Sequence, residues 1–140
     1  MEIRKMLTAE QIIKILKEDE SDRVERTAKT KDADKFAEAV CAFANDMPNH
    51  RQPGYLMIGV DKHGKLTGLR VTEELLENLG GLRSDGNIQP LPTLSIYKVS
   101  LPEGEVAVVE VRPSDLPPVR YKGQIWVRVG PRKGIANEQE

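Results

Sequence analysis

The sequence predicts a single α+β domain in which a mixed, mostly antiparallel sheet is flanked by two or three helices. One observation is an apolar stripe at helical spacing, formed by Phe36, Ala37, Val40, Cys41 and Ala44. A second is the nearly all-apolar run at residues 55–60, which is typical of a central strand covered on both faces. The third is a pair of alternating segments, residues 93–101 and 105–112, around a turn. With 140 residues, the chain is long enough to bury one core.

A capping residue marks the start of each predicted helix. The capping residues are, in chain order, Thr8 with Gln11 three positions later, Asp32 or Asp34, and Thr72. The first helix is expected to end near Glu18 and the second near Asn45. The third contains several leucines, and Gly80 and Gly81 are expected to fray it or end it.

Strands and turns account for most of the remaining chain. Residues 61–64 predict a hairpin turn in which Gly64 is free to take a positive φ. Three further strands are predicted at residues 23–29, at residues 65–69 and, as the last strand, at residues 124–130. Residues 87–92 are predicted to form a loop, and the prolines within residues 113–118 an extended linker.

Composition excludes several classes of protein. No run of about 18 apolar residues is present, so we predict neither a membrane span nor a membrane partner. The single cysteine, Cys41, allows no internal disulfide and fits a reducing cytoplasm. The glycines spell no phosphate-binding or dinucleotide-binding loop, so no nucleotide cofactor is expected. The net charge of −1 is uninformative, and the distribution of charge matters more.

Basic residues gather near the C-terminus without compensating acids. They are Arg120, Lys122, Arg128, Arg132 and Lys133. Together with Lys62 and Lys65 near the hairpin, they predict contacts with a phosphate backbone. Tyr121 and Trp126 offer surfaces on which bases could stack. A solvated edge with Trp126 packed inside is the alternative interpretation, and the sequence leaves both open.

Three carboxylates, Glu20, Glu25 and Asp61, lie near the ends of predicted strands. Mg²⁺ and Mn²⁺ prefer oxygen ligands, and such an ion can activate water and stabilise charge on a phosphodiester. These residues are therefore candidate metal ligands and catalytic groups of a nuclease. The alternative is that they are solvated acids paired with basic neighbours such as Arg26, and spacing alone favours that interpretation.

Several segments, taken in order, resemble the Schlafen/AlbA-like domain of bacterial proteins described as transcriptional regulators or helicase-related. The matching pieces are residues 20–25, 42–45, 56–61, Gly64 with Gly68, residues 117–120 and residues 125–130. The resemblance runs from Glu20 to the C-terminus. It implies an α+β sandwich that binds DNA or RNA.

The resemblance also bears on the acids. Some vertebrate relatives are metal-dependent endoribonucleases that use three acidic residues, and by motif position these fall on Glu20, Glu25 and Asp61. The chain departs from the family pattern at two places. Arg26 and the residue after it replace the usual Phe-Lys, and residues 46–54 form a longer loop where the family has a short Gly-Gly turn.

We therefore expect an N-terminal helix within residues 1–19, a nucleic-acid-binding domain at residues 20–137, and the start of a following segment at residues 138–140. The expected function is nucleic-acid binding within a larger bacterial regulator-like protein, and a homodimer would widen the basic face. One alternative is a Mg²⁺- or Mn²⁺-dependent nuclease. Another is a protein-interaction module that docks through residues 113–118 or a strand edge.

Overall fold

The computed structural model describes residues 6–18 and 20–136, so the expected segment at 138–140 lies outside the described residues. Its helices are α1 (Ala9–Leu16), α2 (Ala33–Asn45) and α3 (Glu73–Ser84). Its strands are β1 (Val24–Thr27), β2 (Gly54–Ile58), β3 (Ile88–Gln89), β4 (Leu94–Leu101), β5 (Gly104–Val111), β6 (Arg120–Tyr121), β7 (Trp126–Val129) and β8 (Arg132–Ile135). In the described part of the chain, no helix has the length and apolar character needed to cross a membrane.

A four-stranded sheet in the order β1-β2-β5-β4 forms the centre of the molecule. β1 runs parallel to β2, whereas β2 with β5 and β5 with β4 are antiparallel. The predicted α+β class and the central position of β2 are thus confirmed. Two small antiparallel pairs, β3–β6 and β7–β8, lie outside this sheet.

The sheet has two faces because successive side chains of a strand point in opposite directions. On one face, here the α2 face, Leu56 and Ile58 pack with α2, α3 and the segments around β6 and β7. On the other, here the α1 face, Met57 packs beneath Ile12 of α1. Glu25 pairs with Leu56 and Arg26 with Met57, so these neighbours on β1 point to opposite faces.

Local signals for the helices are largely confirmed. Thr8 and Gln11 form the expected capping box, in which each side chain bonds the other residue's backbone N–H. Thr72 accepts from the backbone N–H of Leu75 and begins α3. Asp32 is the N-cap residue of α2, but its side chain makes no capping hydrogen bond.

The structure corrects the predicted end of α3. Gly80 and Gly81 neither fray nor end it, because the helix continues to Ser84. A glycine within a helix costs about 1 kcal/mol relative to alanine. Burial of Leu82 one residue later offsets this cost and holds the last turn against the core.

Two strand predictions and one loop prediction also need correction. The predicted strand at 65–69 is reduced to one bridge between Val60 and Leu66, because positive φ values at Gly59 and Gly68 bend both chains. The predicted loop at 87–92 contains β3, which pairs with β6. The strand at 124–130 is not the last, because β8 folds back on β7. The hairpin turn at 61–64 is confirmed, with Gly64 at φ +82°.

Candidate functional site

Two of the three predicted acids meet at a buried arginine. Arg128 on β7 donates from Nη1 to Glu25 Oε1 at 2.6 Å, and its Nη2 lies 3.6 Å from Glu20 Oε2. Its remaining donors reach the backbone carbonyls of Ser21 and Val24 at 2.8 and 2.9 Å. The side chain is only 2% exposed. Arg128 was predicted to contact phosphate, but in this structure it lies inside the protein with its donors already engaged.

Lys133 on β8 supplies a second cation to the same acid. Its Nζ donates to Glu25 Oε2 at 2.9 Å and to the backbone carbonyl of Lys35 at 3.0 Å. Both oxygens of the Glu25 carboxylate therefore face a positive group of the chain. The ion pairs fasten the β7–β8 hairpin to β1 and to the start of α2.

The third acid, Asp61, lies in the hairpin turn. Its Oδ1 accepts from the backbone N–H groups of Lys65 and His63, and the Lys65 bond is the main reason that the pKa of this carboxyl lies below its usual value. Asp61 is five residues beyond Leu56, the residue that pairs with Glu25. Across residues 6–18 and 20–136, no three His, Cys, Asp or Glu side chains are close enough to hold a metal ion.

The donor set therefore does not fit the three-carboxylate metal centre that the resemblance implies. A divalent ion needs free carboxylate oxygens, and those of Glu25 are bonded to Arg128 and Lys133. Among the described residues, Glu20 and Glu25 both lie beside Arg128, whereas the Asp61 carboxylate accepts hydrogen bonds from the backbone of its own turn.

The other predicted basic residues are distributed over more than one surface. Arg120, Lys122 and Arg132 are exposed on or beside β6 and β8, and Lys122 forms an ion pair with Asp34 at 3.2 Å. That contact lowers the pKa of Asp34 after a stronger effect from the Tyr121 hydroxyl, and it raises the pKa of Lys122. The remaining predicted pair, Lys62 and Lys65, is exposed at the separate hairpin turn.

A lysine-lined cleft, which the sequence analysis missed, opens at the N-terminal end of α2. Lys29, Lys35 and Lys133 line this lysine cleft, which has a volume of about 300 Å³ and whose lining also includes the carboxylates of Glu20, Glu25 and Asp32. Lys29 is 67% exposed and lies 3.8 Å from Asp32, a weak pairing. The signal in the sequence was a run of lysines through residues 29–35, which the intervening aspartates made look neutral.

A larger cleft lies between the start of α2, α3 and the β3–β6 pair. Its volume is about 620 Å³, and its lining includes the apolar side chains of Phe36, Leu79 and Ile88 and the ring of Tyr121. We call it the apolar cleft. No local pattern in the sequence indicates this cleft, because its walls come from segments that are distant along the chain and meet only in the folded molecule.

The two candidate stacking residues have different surroundings in the structure. Tyr121 is 7% exposed, and its hydroxyl donates to Asp34. Burial, followed by the hydrogen bond to Asp34, raises the pKa of Tyr121. Trp126 is half-buried against the α2-face core, as in the alternative interpretation. Of the two, Tyr121 lines the apolar cleft.

The long loop at residues 46–54 is fastened at both ends. The Asp46 carboxylate accepts from the backbone N–H groups of His50 and Arg51. His50 Nε2 lies 2.7 Å from Asp22 Oδ2, and Arg23 donates to the carbonyl of Pro53. The departure from the family pattern therefore adds an ordered surface beside Arg128.

The family model described as Schlafen, AlbA_2 matches residues 20–137. Among solved structures, the N-terminal domain of a RecG-related protein from Nitrosomonas europaea is similar, with 21% identity, a TM-score of 0.63 and coverage of 95% of this chain and 94% of that one. The DIP2311 protein from Corynebacterium diphtheriae is also similar, with 19% identity and a TM-score of 0.54. That match covers 82% of this chain and 25% of the other. No curated protein matches the chain.

Proposed function

The chain belongs to the Schlafen, AlbA_2 family, and from that premise we propose that it is a nucleic-acid-binding domain that contacts the phosphate backbone. The observation that carries the proposal is the lysine cleft. Within the described residues, Lys35 has no carboxylate partner and Lys29 has only a distant one, so both are available to phosphate.

Exposed cations extend this surface. Arg132 lies next to Lys133 on β8. Arg120 lies on β6, and Lys122 follows that strand and forms an ion pair with Asp34 on α2. These side chains would extend backbone contacts on either side of the lysine cleft. Lys62 and Lys65 would form a secondary contact at the hairpin. In this proposal the domain is the nucleic-acid-binding part of a larger, regulator-like protein.

The contacts of the two acids, Glu20 and Glu25, favour binding of nucleic acid without cleavage. The carboxylates of Glu20 and Glu25 are neutralised by Arg128 and Lys133, so they act as structural anchors for the β7–β8 hairpin. A nuclease centre at this place would require those ion pairs to open.

The test is to titrate the domain into labelled single- and double-stranded DNA and RNA at two salt concentrations and to measure binding by fluorescence anisotropy. Each phosphate contact contributes about 0.7–0.9 to the slope of log affinity against log salt. A Lys29→Gln/Lys35→Gln double variant should therefore lower that slope by roughly 1.5.

The matched control is Lys14→Gln/Lys17→Gln, which removes two exposed lysines in and beside α1. It should leave binding unchanged. Equal losses in the two double variants, or affinity that ignores salt, would contradict a backbone site at the lysine cleft. Parallel reactions with Mn²⁺ and with EDTA, run on a gel, would reveal metal-dependent fragments if the acids were catalytic.

A further inference from the structure

The apolar cleft and the lysine cleft are neighbours. Both are lined by Asp32 and Phe36, so they lie on either side of the first turn of α2. One is floored by apolar and aromatic side chains, and the other is edged by lysines. A strand of nucleic acid has the same alternation, with flat apolar bases on one side and phosphates on the other.

The rim of the apolar cleft carries hydrogen-bonding groups. Asp34 and Asp85 contribute carboxylates, Asn78 and Asn87 contribute amides, and the ammonium groups come from Lys31 and Lys122. Within the described residues, neither amide side chain makes a hydrogen bond. Asp85 uses Oδ1 for the backbone N–H of Asn87 and keeps Oδ2 at the cleft side of Gly81.

We propose that the apolar cleft holds an unstacked nucleobase of a single strand whose backbone crosses the lysine cleft. The inference rests on the proposed function and narrows its substrate to single-stranded nucleic acid. A base paired within a duplex has its faces stacked and its edge occupied, so it cannot enter a cleft of this kind.

The apolar floor of the cleft favours a base over a phosphate as the occupant. At the rim, the Asp85 carboxylate can accept hydrogen bonds from base amino and imino groups, whereas Asp34 is already bonded to Tyr121 and Lys122. Phe36, Leu79, Ile88 and Tyr121 line the apolar floor against which a planar base packs. The Lys122 ammonium lies 5.3 Å from the centroid of the Tyr121 ring. At about 620 Å³, the cleft is within the size range of small-ligand sites, about 300–1,000 Å³.

Two adjacent glycines of α3 provide a matched test. Gly81 lines the apolar cleft, whereas Gly80 does not. A Cβ at Gly80 would meet nothing within 4 Å, and one at Gly81 only Asp85 Oδ2 at 3.9 Å. Phenylalanine is a better helix former than glycine, so Gly81→Phe and Gly80→Phe should both fold, which circular dichroism would check. Only Gly81→Phe should fill the cleft.

The probes are a single-stranded DNA oligonucleotide and the same strand with abasic sites throughout, which keeps every phosphate. The wild type should bind the intact strand about tenfold more tightly than the abasic one, because stacking on aromatic side chains strengthens binding. Gly81→Phe should abolish that preference without changing the salt slope or the abasic affinity, and Gly80→Phe should keep it.

The possible results separate the two levels of the proposal. Equal binding of intact and abasic strands by the wild type, with normal salt dependence, would overturn the base-binding cleft and leave backbone binding intact. Loss of the preference in both glycine variants would also overturn it, because filling the cleft would not be the cause. Failure to bind either probe at low salt would overturn this inference, and failure to bind duplex DNA and RNA as well would overturn the proposed function with it.

Discussion

The two faces of the central sheet are each fastened by one buried arginine, but the partners differ. On the α2 face, Arg128 bonds the carboxylate of Glu25 and two backbone carbonyls. On the α1 face, Arg26 donates to the backbone carbonyls of Ile15 and Glu18 and has no ionised partner among the described residues. Its Nε is buried without a hydrogen bond. The difference indicates that the α2 face depends on ion pairs, whereas the α1 face depends on the end of a helix.

The helix end explains why a charge is tolerated at Arg26, where the family usually has an apolar residue. The carbonyls at the C-terminus of a helix lack intrahelical partners and carry partial negative charge. Arg26 donates to the carbonyl of Ile15 in the last turn and to that of Glu18 just beyond the helix, and so seats α1, which lies outside the family-matched residues 20–137. Arg26 is therefore an attachment point of the N-terminal helix.

The largest effect is expected from Arg128→Met. Removing one partner of a buried ion pair leaves its carboxylate uncompensated, which typically costs about 3–5 kcal/mol. Because Lys133 remains beside Glu25, we expect a loss of about 3 kcal/mol in the free energy of unfolding, measured by urea denaturation. Adding Glu25→Gln should recover part of that loss. A change below about 1 kcal/mol would show that the α2 face does not depend on this arginine.

Asn45→Ala should cause the next largest loss in the free energy of unfolding, and it also acts on the α2 face. The Asn45 side chain accepts from the backbone N–H of Val119 at 2.6 Å and donates to the carbonyls of Val119 and Trp126 at 2.9 and 2.7 Å. Because Val119 is buried, these groups would lose partners that water cannot replace, at a cost of roughly 2–3 kcal/mol. Asn78→Ala is the exposed control and should change stability by less than about 0.5 kcal/mol. Equal effects of the two substitutions would contradict the role assigned to Asn45.

Arg26→Met should produce a smaller and more local effect. The methionine keeps an apolar stem but removes the donors, and removal of the unsatisfied Nε offsets part of the loss, leaving about 1 kcal/mol. Hydrogen exchange should show reduced protection of amides in α1, while those in α2 remain protected. Loss of protection in both helices together would mean that the two faces are not fastened independently.

The sequence predicted a helix or strand correctly where a single local pattern determines that element. The apolar run at 55–60 led to β2, and the Thr8–Gln11 capping box led to α1. The sequence was uninformative where the outcome depended on contacts between distant segments. Nothing local indicates that Arg128 is covered on β7, or that the lysines at residues 29–35 meet Lys133. Short strands such as β8 lack an alternating apolar pattern and are stabilised by pairing and tertiary contact.

The site shows the same division. Glu20 and Glu25 were identified from their positions in a family motif, and the structure does bring them together. Their partners were not identified, because an exposed arginine and a buried one look alike in a sequence. The partners decide the chemistry, since the same two carboxylates can hold a metal ion or anchor a hairpin depending on which cation reaches them.

The smallest expected effect is on the pH dependence of stability, through the carboxyl group of Glu105 at the far end of the α2 face. Glu105 accepts from the backbone N–H of Val71 and the hydroxyl of Ser100, and the Val71 bond is the main reason its pKa lies below the ordinary glutamate value of 4.5. A carboxyl whose pKa is lower in the folded state contributes stability above its unfolded pKa and loses it as pH falls through the folded pKa. Glu105→Gln should therefore flatten the decline of stability on the acid side, measured as the urea midpoint against pH. Glu103→Gln, in the exposed turn beside it, should leave that decline unchanged, and an equal response from both variants would show that the titration of Glu105 does not cause the decline.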